Sequence, residues 1–144
     1  MSRRNTAAVS DFRPADRSEH KIKKETLRES GDGSLELRLV PNPDILAEVG
    51  ARSRCEGGSR VVVGFAAESR DLHQSARFKL DQKQCDLIVA NDISRAESGF
   101  ESDSNAVVFV WPQGEDEVIE LAPKDQIAEE ILNRIEKLRK ERGA

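Results

Sequence analysis

Apolar and polar positions divide this chain into segments of two distinct periods. Leu35, Leu37 and Leu39 alternate with Glu36, Arg38 and Val40, a period of two that predicts a half-buried strand. Residues 60–66 and 86–90 (DLIVA) are short apolar runs, and the stretch between them places Leu72, Ala76 and Leu80 on one helical face. Strand, helix and strand over 61–94 form one β-α-β unit with a polar Asn91-Asp92 tip. In open α/β sheets, ligands bind beyond the carboxyl ends of such strands. Further on, AVVFVW (106–111), the turn Pro112-Gln113-Gly114 and a short strand at 117–121 lead into a helix from about Pro123 to Arg142. That helix has Ile127, Ile131, Ile135 and Leu138 on one face, acidic residues early and basic residues late, as the helix dipole favours.

Upstream, AAVSDF (7–12) reads as the end of a strand running into a loop. Residues 13–33 are polar and irregular and close at Gly31-Asp32-Gly33, a turn signal. Asn42-Pro43-Asp44-Ile45 reads as a helix start, with Asn42 as cap, Pro43 at the first helical position and Asp44 complementing the dipole. That helix is expected to run to about Arg54 and to stop before Gly57-Gly58. The order of elements predicts an α/β domain, a Rossmann-like mixed sheet flanked by helices. Only six polar residues precede the first strand, so the sheet is expected to start in its middle. Either the chain is a fragment, or another polypeptide supplies the first strands.

The 144 residues suit about one domain, and 37% hydrophobic against 35% charged residues is a foldable balance. A net charge of −4 argues against a broad nucleic-acid surface. Basic residues nevertheless cluster at both termini and along 77–83, which leaves room for a small anionic ligand. Cys55 and Cys85 have no metal-ligand spacing and read as reduced cysteines of a cytoplasmic protein. No apolar run approaches a membrane span, and MSRRNTAAVS lacks the hydrophobic stretch of a secretory signal.

Candidate chemistry is scattered. Neither GxGxxG nor a Walker loop is present. Gly64-Phe65-Ala66-Ala67 is the nearest approach to a ligand turn, with tight helix–sheet packing as the alternative. Lys79 and Lys83 are four residues apart, a repulsive spacing that a bound anion would reverse and that a solvated face would also explain. Lys21, Lys23 and Lys24 lie in a loop, where a lysine can close over a polyphosphate or simply face water. Asp11, Asp44, Asn91 and Asp92 fall at element ends, suited to a ribose, to Mg²⁺ or to capping a turn. His20 and His73 have no partner pattern and are expected at the surface.

Several motifs occur in one register: AAVSDFRP (7–14), KIKK (21–24), NPDIL (42–46), VVVGFAAES (61–69), ARFKLDQK (76–83), DLIVANDIS (86–94) and GFESDSNAV (99–107). In that order they resemble the phosphopantothenate–cysteine ligase domain of coenzyme A biosynthesis, a domain often fused behind a flavin-dependent decarboxylase. Ser69, Ile93 and Glu101 depart from the usual GFAAET, ANDVS and GFNSD.

The resemblance implies that a substrate carboxylate attacks the α-phosphate of CTP, giving an acyl-cytidylate and pyrophosphate. Cysteine's amine then displaces CMP. It implies Mg²⁺, no flavin on this chain, and a homodimer or a partner chain that supplies a missing N-terminal half. By resemblance, Ala7, Asp11, Lys21, Pro43, Asp44, Ile45, Leu46, Phe65, Lys79 and Lys83 contact the nucleotide. Lys21 is then the catalytic loop cation, and Ala7, Ala8 and Asp11 meet phosphopantothenate; no metal ligands are assigned. Residues 1–6 form a non-matching tail, and 7–144 correspond to the C-terminal part of the domain. The alternative is a non-catalytic nucleotide-binding or dimerisation fragment; a generic nucleotide-binding fold is a third, more distant reading.

Overall fold

A computed structural model describes residues 10–23, 25, 34–57, 60–68, 71–92 and 103–143. Ala7, Ala8, Lys24, Gly58, Ser69, Ile93 and Glu101 lie outside the described residues. The chain divides into two compact units, Met1–Asp44 and Ile45–Ala144.

In the first unit, β1 (Phe12–Pro14) pairs antiparallel with β2 (Leu39–Pro41), with Arg13 opposite Val40. Backbone bonds extend the ladder from Asn42 N–H to Asp11 O (2.8 Å) and from Ala15 N–H to Arg38 O (2.8 Å). The strand expected from Leu35 onward is therefore only three residues long. Its leucines are not half-buried: Leu35, Leu37 and Leu39 are 49%, 59% and 54% exposed. The period of two reflects side-chain alternation alone, because the described residues of this unit lay no second layer over that face. Asn42 also departs from its expected role. Its amide donates to Ser10 O (2.6 Å) and accepts from Arg13 Nη1 (3.2 Å), so it ties the ladder together, and Asp44 is the residue directly before the helix.

The second unit is a four-stranded mixed sheet in the order β3-β4-β5-β6. Its strands are β3 (Val63–Glu68), β4 (Leu87–Asp92), β5 (Ser104–Val110) and β6 (Glu117–Pro123). β3 and β4 are parallel; the other neighbours are antiparallel. Helices α1 (Ile45–Cys55) and α2 (Leu72–Lys83) belong to one face and α3 (Lys124–Glu141) to the other.

The alternation of β4 and β5 explains the two cores. Ile88, Ala90, Val108 and Val110 point to one side, where Ala76 and Leu80 of α2 meet them. Leu87, Val89, Val107 and Phe109 point to the other, against Ile127 of α3. Burying each large aliphatic side chain contributes about 1.5–3 kcal/mol. The predicted faces of α2 and α3 are the ones buried.

Both parallel strands start and end later than the apolar runs suggest. Asp86 accepts the Val62 N–H on Oδ2 (2.7 Å), and its own N–H donates to Val62 O (2.8 Å). This pairing joins the chain ahead of the ladder, which then continues to Glu68 opposite Asp92. Gly64-Phe65-Ala66-Ala67 is consequently strand, not a turn after it.

Candidate functional site at the carboxyl ends of β3 and β4

At the end of the parallel ladder, Ala67 lies opposite Asn91 and Glu68 opposite Asp92. Asn91 is in phase with Leu87 and Val89, and Asn105 is in phase with Val107 and Phe109, so both amides belong to the α3 face of the sheet. The Oδ1 atoms of Asn91 and Asn105 are buried and accept no hydrogen bond among the described residues. An unpaired buried amide oxygen costs about 1–3 kcal/mol, and such groups in a cavity are natural recipients of a ligand donor. A cavity of about 370 Å³ adjoins them, lined by Phe65, Ala67, Val89, Lys124 and Ile131 among others.

Phe65 is 70% exposed on this face, whereas Gly64 and Ala66 on either side of it are buried. The alternation within β3 therefore separates Phe65 from α2. Lys79 and Lys83 belong to α2, across the sheet from Phe65. Lys79 reaches the carboxyl end of β3, where open α/β sheets hold nucleotides, through Glu68, whereas Lys83 closes α2 close to the start of β4.

The lysine pair is not a freely solvated face. Both residues are half-buried, and Lys79 Nζ donates to Glu68 Oε1 at 2.5 Å. Lys83 closes α2, and the next residue, Gln84, adopts a left-handed conformation (φ 51°). At the start of α1, Ile45 is 48% exposed, while Leu46 packs into the α1–α2 core. In the first unit, Asp11 and Lys21 are both exposed. Ala7 and Ala8 lie outside the described residues.

A larger cavity, about 500 Å³, lies at the opposite end of the sheet, beside Arg54, Asp86, Trp111 and Arg142. Two of its carboxylates, Asp86 and Glu117, are already paired. Asp86 is met by Arg54 (3.3 Å) and by both terminal nitrogens of Arg142, and Glu117 is met by Arg134 (2.6 Å) and the Trp111 indole (3.0 Å). This arrangement pins the end of α3 to the sheet. His73, expected at the surface, is half exposed and lies 3.2 Å from Asp116, which Arg77 also holds.

Residues 4–138 match the DNA/pantothenate metabolism flavoprotein C-terminal domain family. The chain belongs to that family. It is 41% identical over 132 residues to the coenzyme A biosynthesis bifunctional protein CoaBC of Vibrio vulnificus, covering 92% of this chain and 31% of that protein. The CoaBC of Bacillus subtilis is 38% identical over 138 residues, with 96% and 32% covered. The chain thus spans about a third of the length of these relatives. Among solved structures, a CoaBC C-terminal domain superposes with a TM-score of 0.65 at 28% identity, over 94% of this chain and 53% of that one. A Cab2 variant in complex with phosphopantothenate-cysteine superposes with a TM-score of 0.63 at 25% identity, over 92% and 43%.

Membership agrees with the mixed α/β fold expected from the motifs. Two residues of this candidate site were not singled out by sequence reasoning. Asn105 went unremarked, although its position in phase with Val107 and Phe109 on an apolar strand was a usable signal. Glu68, the partner of Lys79, lies beyond the strand expected at 60–66 and is the last residue of β3. Among the described residues no helix is long and apolar enough to cross a membrane.

Proposed function

We propose that the chain is the nucleotide-handling part of a CTP-dependent phosphopantothenate–cysteine ligase. The observation that carries this reading is the pair of buried amide oxygens of Asn91 and Asn105, without a donor among the described residues, at the carboxyl end of β4 and the start of β5. Cytosine presents an exocyclic amine donor where uracil-like bases present an acceptor. Two acceptors without donors therefore favour cytosine. CTP is the nucleotide that the family resemblance implies, and the relatives act in coenzyme A biosynthesis by name.

In this reading Lys79 and Lys83 along α2 attract the phosphates, and Lys21 offsets the charge of the departing pyrophosphate. Those cations offset charge that grows in the transition state, where electrostatic stabilisation has most effect. The phosphopantothenate carboxylate attacks the α-phosphate and expels that pyrophosphate, and cysteine's amine then displaces CMP from the acyl-cytidylate. Phosphopantothenate is assigned to Ala7, Ala8 and Asp11. Among the described residues no three His, Cys, Asp or Glu side chains cluster as a metal cage. Mg²⁺ commonly rides on substrate phosphates with one or two carboxylates. Asp92, at the ladder's end, is the carboxylate that fits. The chain spans about a third of its relatives, so complete ligation is assigned to it in company with the remainder of the domain, as a dimer or with a partner chain.

The test is calorimetric titration of the chain with CTP and UTP, each with Mg²⁺. CTP should bind and UTP should bind about tenfold more weakly or worse. Asn91→Ala and Asn105→Ala should erase that preference. Equal affinity for the two nucleotides, or no binding of either, would refute the assignment.

A further inference from the structure

At two successive turns of one face, α1 meets a neighbour where a glycine leaves out a side chain: Gly64 of β3 under Leu46, and its own Gly50 against α2. A Cβ on Gly50 would lie 1.9 Å from Lys83 O and 3.3 Å from Gln84 O. A Cβ on Gly64 would lie 2.8 Å from Leu46 Cδ2 and 2.5 Å from Ile88 Cδ1. Leu46 and Gly50 are four residues apart, so they occupy the same face of α1. That face rests on the backbone of β3 at its start and on the end of α2 one turn later.

The Gly50 contact has no slack. The atoms Gly50 meets are backbone, and the segment behind them is held in place: Cys85 N–H donates to Leu80 O (3.1 Å) and Gln84 N–H to Asp81 O (3.2 Å). Glycine inside a helix is less favourable than alanine. At Gly50 the close approach outweighs that preference. Ordinary contact begins at 3.4 Å, so an alanine there would part the two helices by about 1.5 Å.

The elements seated this way are the ones that carry the nucleotide residues of the second unit. Ile45 and Leu46 open α1; Lys79 and Lys83 lie on α2; Phe65 follows Gly64 on β3. We propose that Gly50 and Gly64 are positioning residues for the nucleotide, setting the separation between the start of α1 and the lysine flank of α2. This inference rests on the CTP reading above and adds the device that sets the spacing of the triphosphate's contacts.

The experiment compares CTP and CMP binding, with Mg²⁺, to the full chain and to Gly50→Ala, Gly64→Ala and Phe109→Leu. Urea unfolding of each protein runs in parallel. Phe109 is fully buried in the core on the other face of the sheet, so its variant loses stability without moving α1. Gly50→Ala should weaken CTP binding by roughly tenfold or more, because small misplacements of binding groups have large effects. It should leave CMP within about twofold, since CMP lacks the outer phosphates. Phe109→Leu should keep the wild-type ratio of CTP to CMP affinity, since a change under the base affects both nucleotides alike. If Gly50→Ala does not fold, Gly64→Ala carries the comparison, because its nearest contacts are side-chain tips that can turn aside. Unchanged CTP affinity in the folded glycine variants, or parallel losses of CTP and CMP, would overturn the positioning role alone. Failure of the unaltered chain to bind CTP would overturn the CTP reading and this inference with it.

Discussion

The Lys79 ammonium lies 2.5 Å from Glu68 Oε1, joining the outer flank of α2 to the last residue of β3. An anion that uses Lys79 must therefore compete with a carboxylate already in place. The Lys79 side chain is 43% exposed and that of Glu68 17%. A pair so open to water contributes under about 1 kcal/mol to folding, so its main effect falls on the ligand.

Glu68→Gln should therefore raise CTP affinity by about threefold in calorimetry, with thermal stability nearly unchanged. Lys79→Gln should lower affinity. A fall in affinity for Glu68→Gln would show that its carboxylate serves the nucleotide directly, for instance through Mg²⁺.

Asp86 should be the most sensitive charged position in the second unit. It is 4% exposed and accepts the Val62 N–H, while Arg54 and Arg142 supply its counter-charges. Neutralising it leaves two guanidinium groups without their carboxylate. Asp86→Asn should cost about 3 kcal/mol or more in urea unfolding. An effect below about 1 kcal/mol would show that Arg54 and Arg142 are satisfied by water.

Cys85 and Cys55 should respond oppositely to alkylating reagents. Cys55 is exposed and Cys85 is buried. Burial pushes the Cys85 thiol from 9.0 up to about 11, with the Asp86 charge adding to the rise and Lys83 and Arg54 opposing it. The folded chain should label at Cys55 alone at pH 8. The folded thiol holds its proton where the unfolded one releases it. Its contribution to stability is thus fully present below 9.0 and is lost as pH rises through about 11. Cys85→Ala should flatten the decline of unfolding free energy over that interval.

The exposed apolar row of the first unit predicts self-association. Phe12, Leu35, Leu37 and Leu39 are 55%, 49%, 59% and 54% exposed. Contiguous exposed apolar side chains mark interaction surfaces. Sedimentation at increasing concentration should show a dimer, and Leu37→Glu should shift it towards monomer. A monomer for the unaltered chain at all concentrations would count against a dimeric ligase.

Local periodicity determined much of this protein. The faces of α2 and α3, the polar ends of β3 and β4 and the turn at Pro112-Gln113-Gly114 follow from residues close together in the chain. Period and composition act over a few residues, so they are readable before folding. Only the tertiary structure decided what those residues meet. Gly64-Phe65 is strand because Asp86, from a distant segment, joins the chain ahead of β3 and the ladder runs on. Gly50 is required by a carbonyl on another helix. Lys79 is paired by a residue eleven positions away. The leucines at 35, 37 and 39 alternate as a strand does, yet stay exposed. Burial needs a second surface, and a pattern along one segment does not specify which surface covers it.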